Sequence, residues 1–421
     1  MTPTKLLCLS NGHGEDEVAV RILRELQQYA RCPELAALPL VGEGHAYRKL
    51  PEVPIVGPVQ RMPSGGFIYQ DGRQLWRDVR GGLIGLTLAQ CRTVKRWVHT
   101  GGCVLAVGDI VPLLLAWWSG ALYGFVGTAR TEYYLRDEID WLPRRRWFER
   151  LENWSGSVYL PWERWLMRYA RCKAVFPRDS LTATTLQRYG IRAFDLGNPM
   201  MDELGIAASN EPIEMLETHR ALCVVLLPGS RSPEVYANWQ QITIAVTQVR
   251  EAFADQALVF LVPLAAGVEI EPLQRDLSRY GWRSQPTQTY LKTDPEALQF
   301  GQHRQILVFS RSGFAECLRR ADVAIAMAGT ATEQFVGLGK PAIAFPGAGP
   351  QFTPGFAEAQ SRHLGHSLLL VERPEAVTKV LQAVLTDPDR LQAIAENGRR
   401  RMGEPGAARR IADRLMGEVW D

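Results

Sequence analysis

The sequence predicts an α/β chain of two domains, each a buried parallel sheet covered by helices. Three observations carry this expectation. Short runs of small and β-branched apolar residues recur, each too short for a typical helix and bounded by glycine or proline before a helix-forming stretch. The order of strand, glycine turn and helix opens the chain near residue 5 and returns near residue 222, so the second half repeats the design of the first. A length of 421 residues with 46% hydrophobic content supports two or three domains with sizeable cores. A polar, acidic stretch at 205–219 without strong periodicity reads as the connection, which sets the domains at 1–204 and 205–421.

Composition narrows the function classes. The formal net charge is +3, too small a bias to argue for nucleic acid without a concentrated basic patch. Seven cysteines stand scattered with no C-x-x-C pair, so a disulfide framework or zinc site is not expected and a reducing cytoplasm fits best. The first nine residues pass straight into a strand-like run with no secretory pattern. The best apolar run, 110–118, is too short to span a bilayer and contains Pro112, so a soluble or peripheral protein is expected.

Residues 5–10 read as the first buried strand, followed by Asn11-Gly12-His13-Gly14-Glu15-Asp16 and an amphipathic helix with Val18, Ile22, Leu23 and Leu26 on one face. Glu15 and Asp16 already complement the helix dipole and would repel a phosphate, which favours an acceptor pocket here over a nucleotide site. His13, between two glycines, can approach a substrate closely and titrates near neutrality, as a general base should; a loop histidine bonded to local backbone is equally open. Turn residues around two aromatics at 62–72 suggest a loop over the site, and the helix expected at 74–98 is interrupted by Gly81, Gly82 and Gly85. Residues 103–107 form the next strand, ending at Gly108-Asp109. An acid at the carboxyl end of a parallel strand sits where catalytic groups are displayed, and the competing reading makes Asp109 the cap of the helix beginning at Ile110.

Tryptophans and arginines alternate closely from Trp141 to Arg171. Three readings stand: a surface resting on anionic membrane headgroups, a Trp-rich core with solvated arginines, or a groove that stacks nucleic acid bases. A strand at 172–176, a helix ending near Gly190 and a short segment at 194–196 close the first domain.

The second half opens with a strand at 222–227 and the turn Pro228-Gly229-Ser230-Arg231, with Ser232, Pro233 and Glu234 placed as N-cap, N1 and N2 of the next helix. Arg231 offers a fork of donors to a diphosphate. Strands at 258–262 and 306–309 and a helix at 314–320 lead into 321–353. There a strand at 323–327 meets Gly329, Thr330 and Thr332 as turn and cap residues, a helix at 331–338 ends at Gly339, and a strand follows at 341–345. The small residues from Ala328 through Ala331 to Thr332 let a ligand approach the backbone at a helix N-terminus, a candidate diphosphate cradle; a βα turn without a ligand is the alternative. A helix beginning at 356–360, a strand at 368–371, helices at 375–385 and 389–397, and an Arg-rich amphipathic helix after Gly403-Glu404-Pro405-Gly406 complete the chain.

The run Gly329-Thr330-Ala331-Thr332-Glu333-Gln334 with Lys340-Pro341, and the string Leu227-Pro228-Gly229-Ser230-Arg231 with Glu234, resemble lipid-A-disaccharide synthase and, more distantly, the UDP-N-acetylglucosamine transferase of peptidoglycan synthesis. The resemblance covers most of the chain and is strongest in the second half. It implies a GT-B architecture: two Rossmann-like domains facing a cleft, with the last helix crossing back onto the first. It also implies a metal-independent glycosyltransferase using a UDP-sugar as donor substrate, with no further cofactor; no Asp-x-Asp motif stands in a suitable loop of the sequence, so no metal is expected. A Glu of the family's helix holds the nucleotide ribose; Gln334 stands at that position, with Glu333 roughly a quarter-turn away. His13 and Asp109 match the family's candidates for the base, and the acceptor is expected to be lipid-linked, at an anionic membrane surface. The loop NGHGED departs from the family's acceptor-loop pattern. A UDP-sugar 2-epimerase and a non-catalytic nucleotide-sugar or lipid binding protein are the alternatives.

Overall fold

Strand β1 (Lys5–Asn11) is central to the first unit because both of its faces are apolar. Leu6 and Cys8 pack on one side with Val18, Ile22, Leu23 and Leu26 of helix α1 (His13–Leu26). Leu7 and Leu9 pack on the other with Val94 of α2 (Leu83–His99) and Leu113 and Ala116 of α3 (Ile110–Ser119). Alternation along a strand sends neighbouring residues to opposite faces, and each buried aliphatic side chain is worth about 1.5–3 kcal/mol. With β2 (Glu34–Val41), β3 (Cys103–Gly108), β4 (Tyr123–Gly127) and β5 (Cys172–Phe176), the sheet has the order β2-β1-β3-β4-β5, all parallel. Helices α4 (Pro161–Arg168) and α5 (Ser180–Arg188) complete the unit's chain-order set.

The computed structural model describes residues 4–60, 83–142, 153–205, 221–286 and 290–417. The chain divides into one unit of Met1–Asp202 with Gly403–Asp421 and a second of Glu203–Met402. The second unit runs β6 (Leu222–Leu227), α6 (Glu234–Ala252), β7 (Leu258–Pro263), α7 (Ile270–Arg279), β8 (Arg283–Gln285), β9 (Leu298–Gln302), β10 (Gln305–Ser310), α8 (Phe314–Arg320) and β11 (Val323–Ala326). It continues through α9 (Thr330–Gly337), β12 (Ala342–Ala344), α10 (Pro354–Leu364), β13 (Leu368–Leu370), α11 (Val377–Leu385) and α12 (Pro388–Met402). The sheet order is β13-β12-β11-β6-β7-β10-β9-β8, parallel except for the β8-β9-β10 edge.

Helix α13 (Ala407–Met416) belongs to the first unit, although it follows the second in the chain. Ala408, Ile411, Ala412 and Leu415 bury against the apolar face of α1. Asp202 fixes its start, accepting from the N–H groups of Gly406, Ala407 and Ala408 at 2.8, 2.9 and 2.7 Å, a carboxylate where the helix dipole favours one.

Several local expectations are corrected. The antiparallel β8 and β9 were not foreseen, because Leu298-Gln299-Phe300-Gly301-Gln302 is a short, polar, glycine-containing run that acquires strand character only by pairing with β10. Helix α6 starts at Glu234 with Pro233 at the cap position, so Ser232 does not cap it. The reading of 141–171 as a buried tryptophan core fails where the segment is described: Trp154, Trp162 and Trp165 are 64%, 53% and 52% exposed. Residues 143–152, with Arg144, Arg145 and Arg146, lie outside the described residues, as do the loop at 62–72 and most of the 205–219 connection.

Candidate functional site

Each sheet has a point where the chain's direction of travel reverses, and in open parallel sheets ligands collect beyond the strand ends at that point. In the first unit it falls between β1 and β3, with β2 on one side and β4 and β5 on the other. Ser10 pairs with Val107, so the loops after these strands begin side by side.

Asn11 ends β1, and its amide nitrogen donates to both oxygens of Asp109, each at 3.0 Å. Asp109 Oδ1 also accepts from the Val111 N–H at 2.9 Å, so this carboxylate caps α3 while being tied to the neighbouring strand. Gly12 and Gly108 have φ of 126° and 130°, a region side chains avoid. Both lie against Glu15: a Cβ on Gly12 would stand 2.9 Å from Glu15 Oε2, and one on Gly108 3.1 Å from Glu15 Cγ. Glu15 Oε1 accepts from the Thr128 hydroxyl, beyond β4, at 3.5 Å. Asp16 points inward, accepting from Ser10 Oγ at 2.5 Å, with Tyr47 Oη 2.7 Å from the same hydroxyl.

Burial raises the pKa of all three carboxyls. Glu15 is lifted first by desolvation and further by the charge of Asp109. Asp109 is lifted by desolvation against the bonds from Val111 and Asn11 and the attraction of Arg130. Asp16 is pushed up to about 7, desolvation outweighing the bond from Ser10. His13 lies in the first turn of α1 and is exposed.

In the second unit the reversal falls between β6 and β11, which pair with Leu227 opposite Ala326. Gly229 (φ 98°) lets the backbones close in: a Cβ there would stand 3.4 Å from the Met327 carbonyl oxygen. Asn238 of α6, buried, donates to the Pro228 and Met327 carbonyls at 3.0 and 3.5 Å and ties the two loops together. Ser230 and Arg231 face solvent. Across from them, α9 begins directly after Gly329. Its Thr332 hydroxyl donates to the Ala328 carbonyl at 2.6 Å, and Gln360 of α10 donates to the Ala328 and Gly329 carbonyls at 3.1 Å each. The turn is held by its carbonyls, while the N–H groups of Thr330 and Ala331 head a helix where no intrahelical acceptor reaches them. Thr332 is therefore a brace of the turn and not the cap that its sequence position suggested.

Glu333 and Gln334 are both buried, and Glu333 lies 3.8 Å from the fully buried His363 of α10. Glu234 is buried too, accepting from the N–H groups of Gln351 at 3.2 Å and Phe352 at 2.7 Å, which anchors the loop after β12. Lys340 reaches the carbonyls that end α8, Leu318 at 3.2 Å and, just beyond, Ala321 at 2.6 Å; it serves the scaffold and not the loop.

No protein-family model and no curated protein matches the sequence. Solved structures match over nearly the whole chain. The UDP-GlcNAc 2-epimerase of Neisseria meningitidis, bound to UDP-GlcNAc, aligns with a TM-score of 0.57 at 14% identity, covering 98% of this chain and 100% of that one. MurG of Acinetobacter baumannii aligns with a TM-score of 0.54 at 14% identity, covering 98% and 99%. The UDP-GlcNAc 2-epimerase of Methanocaldococcus jannaschii gives 0.53 at 14%, covering 98% and 99%. The chain has the GT-B fold. At this identity the likeness fixes the fold and leaves the reaction open, and no family model supports lipid-A-disaccharide synthase in particular.

Within the GT-B fold the residues picked from sequence gather as two groups. Gly229, Ser230 and Arg231 adjoin Gly329 to Gln334 at the ends of paired strands β6 and β11, and His13 and Asp109 follow paired strands β1 and β3. Sequence reasoning passed over Asn11, Glu15 and Thr128. Glu15 was visible only as a dipole-complementing acid; its reach to the ends of β3 and β4 is a tertiary fact.

Proposed function

We propose that the chain is a UDP-sugar-dependent glycosyltransferase that moves a sugar, of N-acetylglucosamine type, onto a lipid-linked acceptor, working peripherally on the cytoplasmic face of a membrane. The observation that carries the choice of a lipid acceptor is an exposed aromatic face on the first unit. Trp165 of α4 packs edge-on against Trp117 of α3, ring centroids 5.4 Å apart, and tilted against Tyr169 at 5.5 Å, and Trp162, Leu114 and Trp118 on the same two helices are exposed. Cations border it: Lys95 lies 4.3 Å over the Trp118 ring and Arg171 5.1 Å over Tyr169. Half-exposed indoles ringed by basic side chains suit a headgroup layer, and a soluble nucleotide sugar gives no reason for them. Among the described residues no helix is long and apolar enough to cross a membrane.

On this reading the second unit holds the donor. Arg231, the Gly229-Ser230 backbone and the start of α9 at Thr330-Ala331 neutralise the departing diphosphate, and Gln334 bonds the ribose. Transfer also needs a base for the acceptor hydroxyl, and on this reading a carboxyl at the strand ends of the first unit supplies it. A second reading, a UDP-sugar 2-epimerase, is favoured by those same carboxyls, whose raised pKa values suit removal and return of a proton on carbon.

Incubation with a panel of UDP-sugars and a lipid extract, followed by mass spectrometry, separates the readings. Transfer gives UDP and a new glycolipid only when lipid is present. An epimerised sugar without lipid supports the second reading, and binding without any product leaves a carrier protein. Changing Trp118, Trp162 and Trp165 together to Ala is expected to release the protein from sedimenting anionic vesicles; unchanged sedimentation removes the membrane part of the proposal.

A further inference from the structure

We infer that Glu15, and not the exposed His13, is the catalytic base that takes the proton of the acceptor hydroxyl, with Asn11 and Asp109 positioning the site around it. The inference rests on the transferase reading above and adds to it the residue and its ligand chemistry. Four features of the first unit converge on it.

The chain makes room for this one side chain. Gly12 and Gly108, from two different strand ends, both hold positive φ, and a Cβ on either would press on Glu15 at 2.9 and 3.1 Å. Glu15 thus lies across the ends of β1 and β3 and touches Thr128 beyond β4, at the reversal point of the sheet. His13, on the same turn, stays in solvent.

Asp109 is already committed. Its oxygens accept from the Val111 N–H and from the Asn11 amide, which hold it as the cap of α3. Glu15 has the Thr128 hydroxyl at 3.5 Å as its side-chain partner among the described residues, a long contact that a substrate hydroxyl can replace.

Asn11 points to the ligand. It is 6% exposed, spends its amide nitrogen on Asp109, and leaves Oδ1 buried with no hydrogen-bond partner among the described residues. An unmet buried acceptor costs about 1–3 kcal/mol, so the site lacks a donor that a neighbouring sugar hydroxyl would supply. The charged groups about Glu15 are Asp109 at the start of α3 and Asp16 on its own helix, with Arg130 beyond β4 acting on Asp109. Burial and Asp109 lift Glu15 above the usual glutamate range, which makes it a better proton acceptor than a free carboxylate.

The step balances without a co-reactant. The acceptor oxygen bonds to the anomeric carbon as its proton passes to Glu15, and the bond from that carbon to the diphosphate oxygen breaks with its electron pair leaving on UDP.

The test uses the full chain with a UDP-sugar and the lipid acceptor, comparing wild type with Glu15→Gln, Glu15→Asp, Asp109→Asn and His13→Ala. Glu15→Gln is expected to keep the melting temperature and UDP affinity and to lose about 10²–10⁴-fold in kcat. Glu15→Asp should recover part of that loss with a shifted acidic limb of the pH profile, and His13→Ala should stay within threefold of wild type. A Glu15→Gln enzyme within threefold of wild type, or a His13→Ala loss of the larger size, overturns the assignment. Failure of the underlying reading is seen separately, in a wild-type protein that binds no UDP or forms no glycolipid; Glu15 then has no such role.

Discussion

The two strand-end loops of this molecule share one backbone solution and differ in charge. After β1 and after β6 the chain turns through a glycine of positive φ into a helix, beside a second loop from the neighbouring strand. In the second unit the acids of those helices, Glu234 and Glu333, are turned inward onto backbone N–H groups and His363, and the outward cation is Arg231. In the first unit Glu15 and Asp109 stand at the strand ends themselves, with Arg130 drawn off to Glu163 at 2.9 Å. A helix N-terminus favours an anion in either place; the direction of the first-turn carboxylates decides whether a phosphate is admitted or repelled.

Asp16→Asn gives the largest expected effect. Its folded pKa of about 7 lies above that of an unfolded aspartate, so the folded state holds the extra proton between about pH 4 and 7. Its contribution to stability is full below that window and lost as pH rises through it, at a slope of up to about 1.4 kcal/mol per pH unit. The variant should therefore gain on wild type between pH 5 and pH 8 in urea unfolding; parallel pH profiles would mean that Asp16 is ionised at no cost.

Glu234→Ala should cost about 1–3 kcal/mol of stability, because the buried Phe352 N–H and the half-buried Gln351 N–H lose their acceptor. The matching change in the first unit, Glu15→Gln, should be neutral or stabilising in the same melt. Equal losses would erase the distinction between a structural acid and a functional one.

Arg231→Ala is expected to weaken UDP binding by about 1.5–3 kcal/mol in calorimetry while Asp109→Asn leaves it unchanged. A UDP affinity that follows Asp109 and ignores Arg231 would exchange the roles of the two units. The smallest effect belongs to Gln334→Glu, expected to hold or raise UDP affinity by less than about 1 kcal/mol, since a carboxylate accepts from ribose hydroxyls more strongly than an amide. A large loss in a folded variant would place the ribose elsewhere.

Sequence by itself determined the elements whose code is local. The runs at Leu222–Leu227 and Phe314–Arg320 form where expected. Gly339, at φ 77°, stops α9 because a residue there must leave the right-handed helix, and glycine does so without a Cβ clash. Periodicity and turn chemistry act over a few residues, so they survive being read one segment at a time. Only the tertiary structure decided which side chains share a site. Asn11 and Asp109 are 98 positions apart and Glu15 and Thr128 are 113, brought together because β1, β3 and β4 lie side by side. Glu333 became a partner of His363 because Gln360 ties α10 to the turn that starts α9, and the tryptophans of α4 became a surface because the interior was already filled by Leu166, Met167 and the sheet. Burial and long-range pairing set those outcomes, and neither is written in the spacing of neighbouring residues.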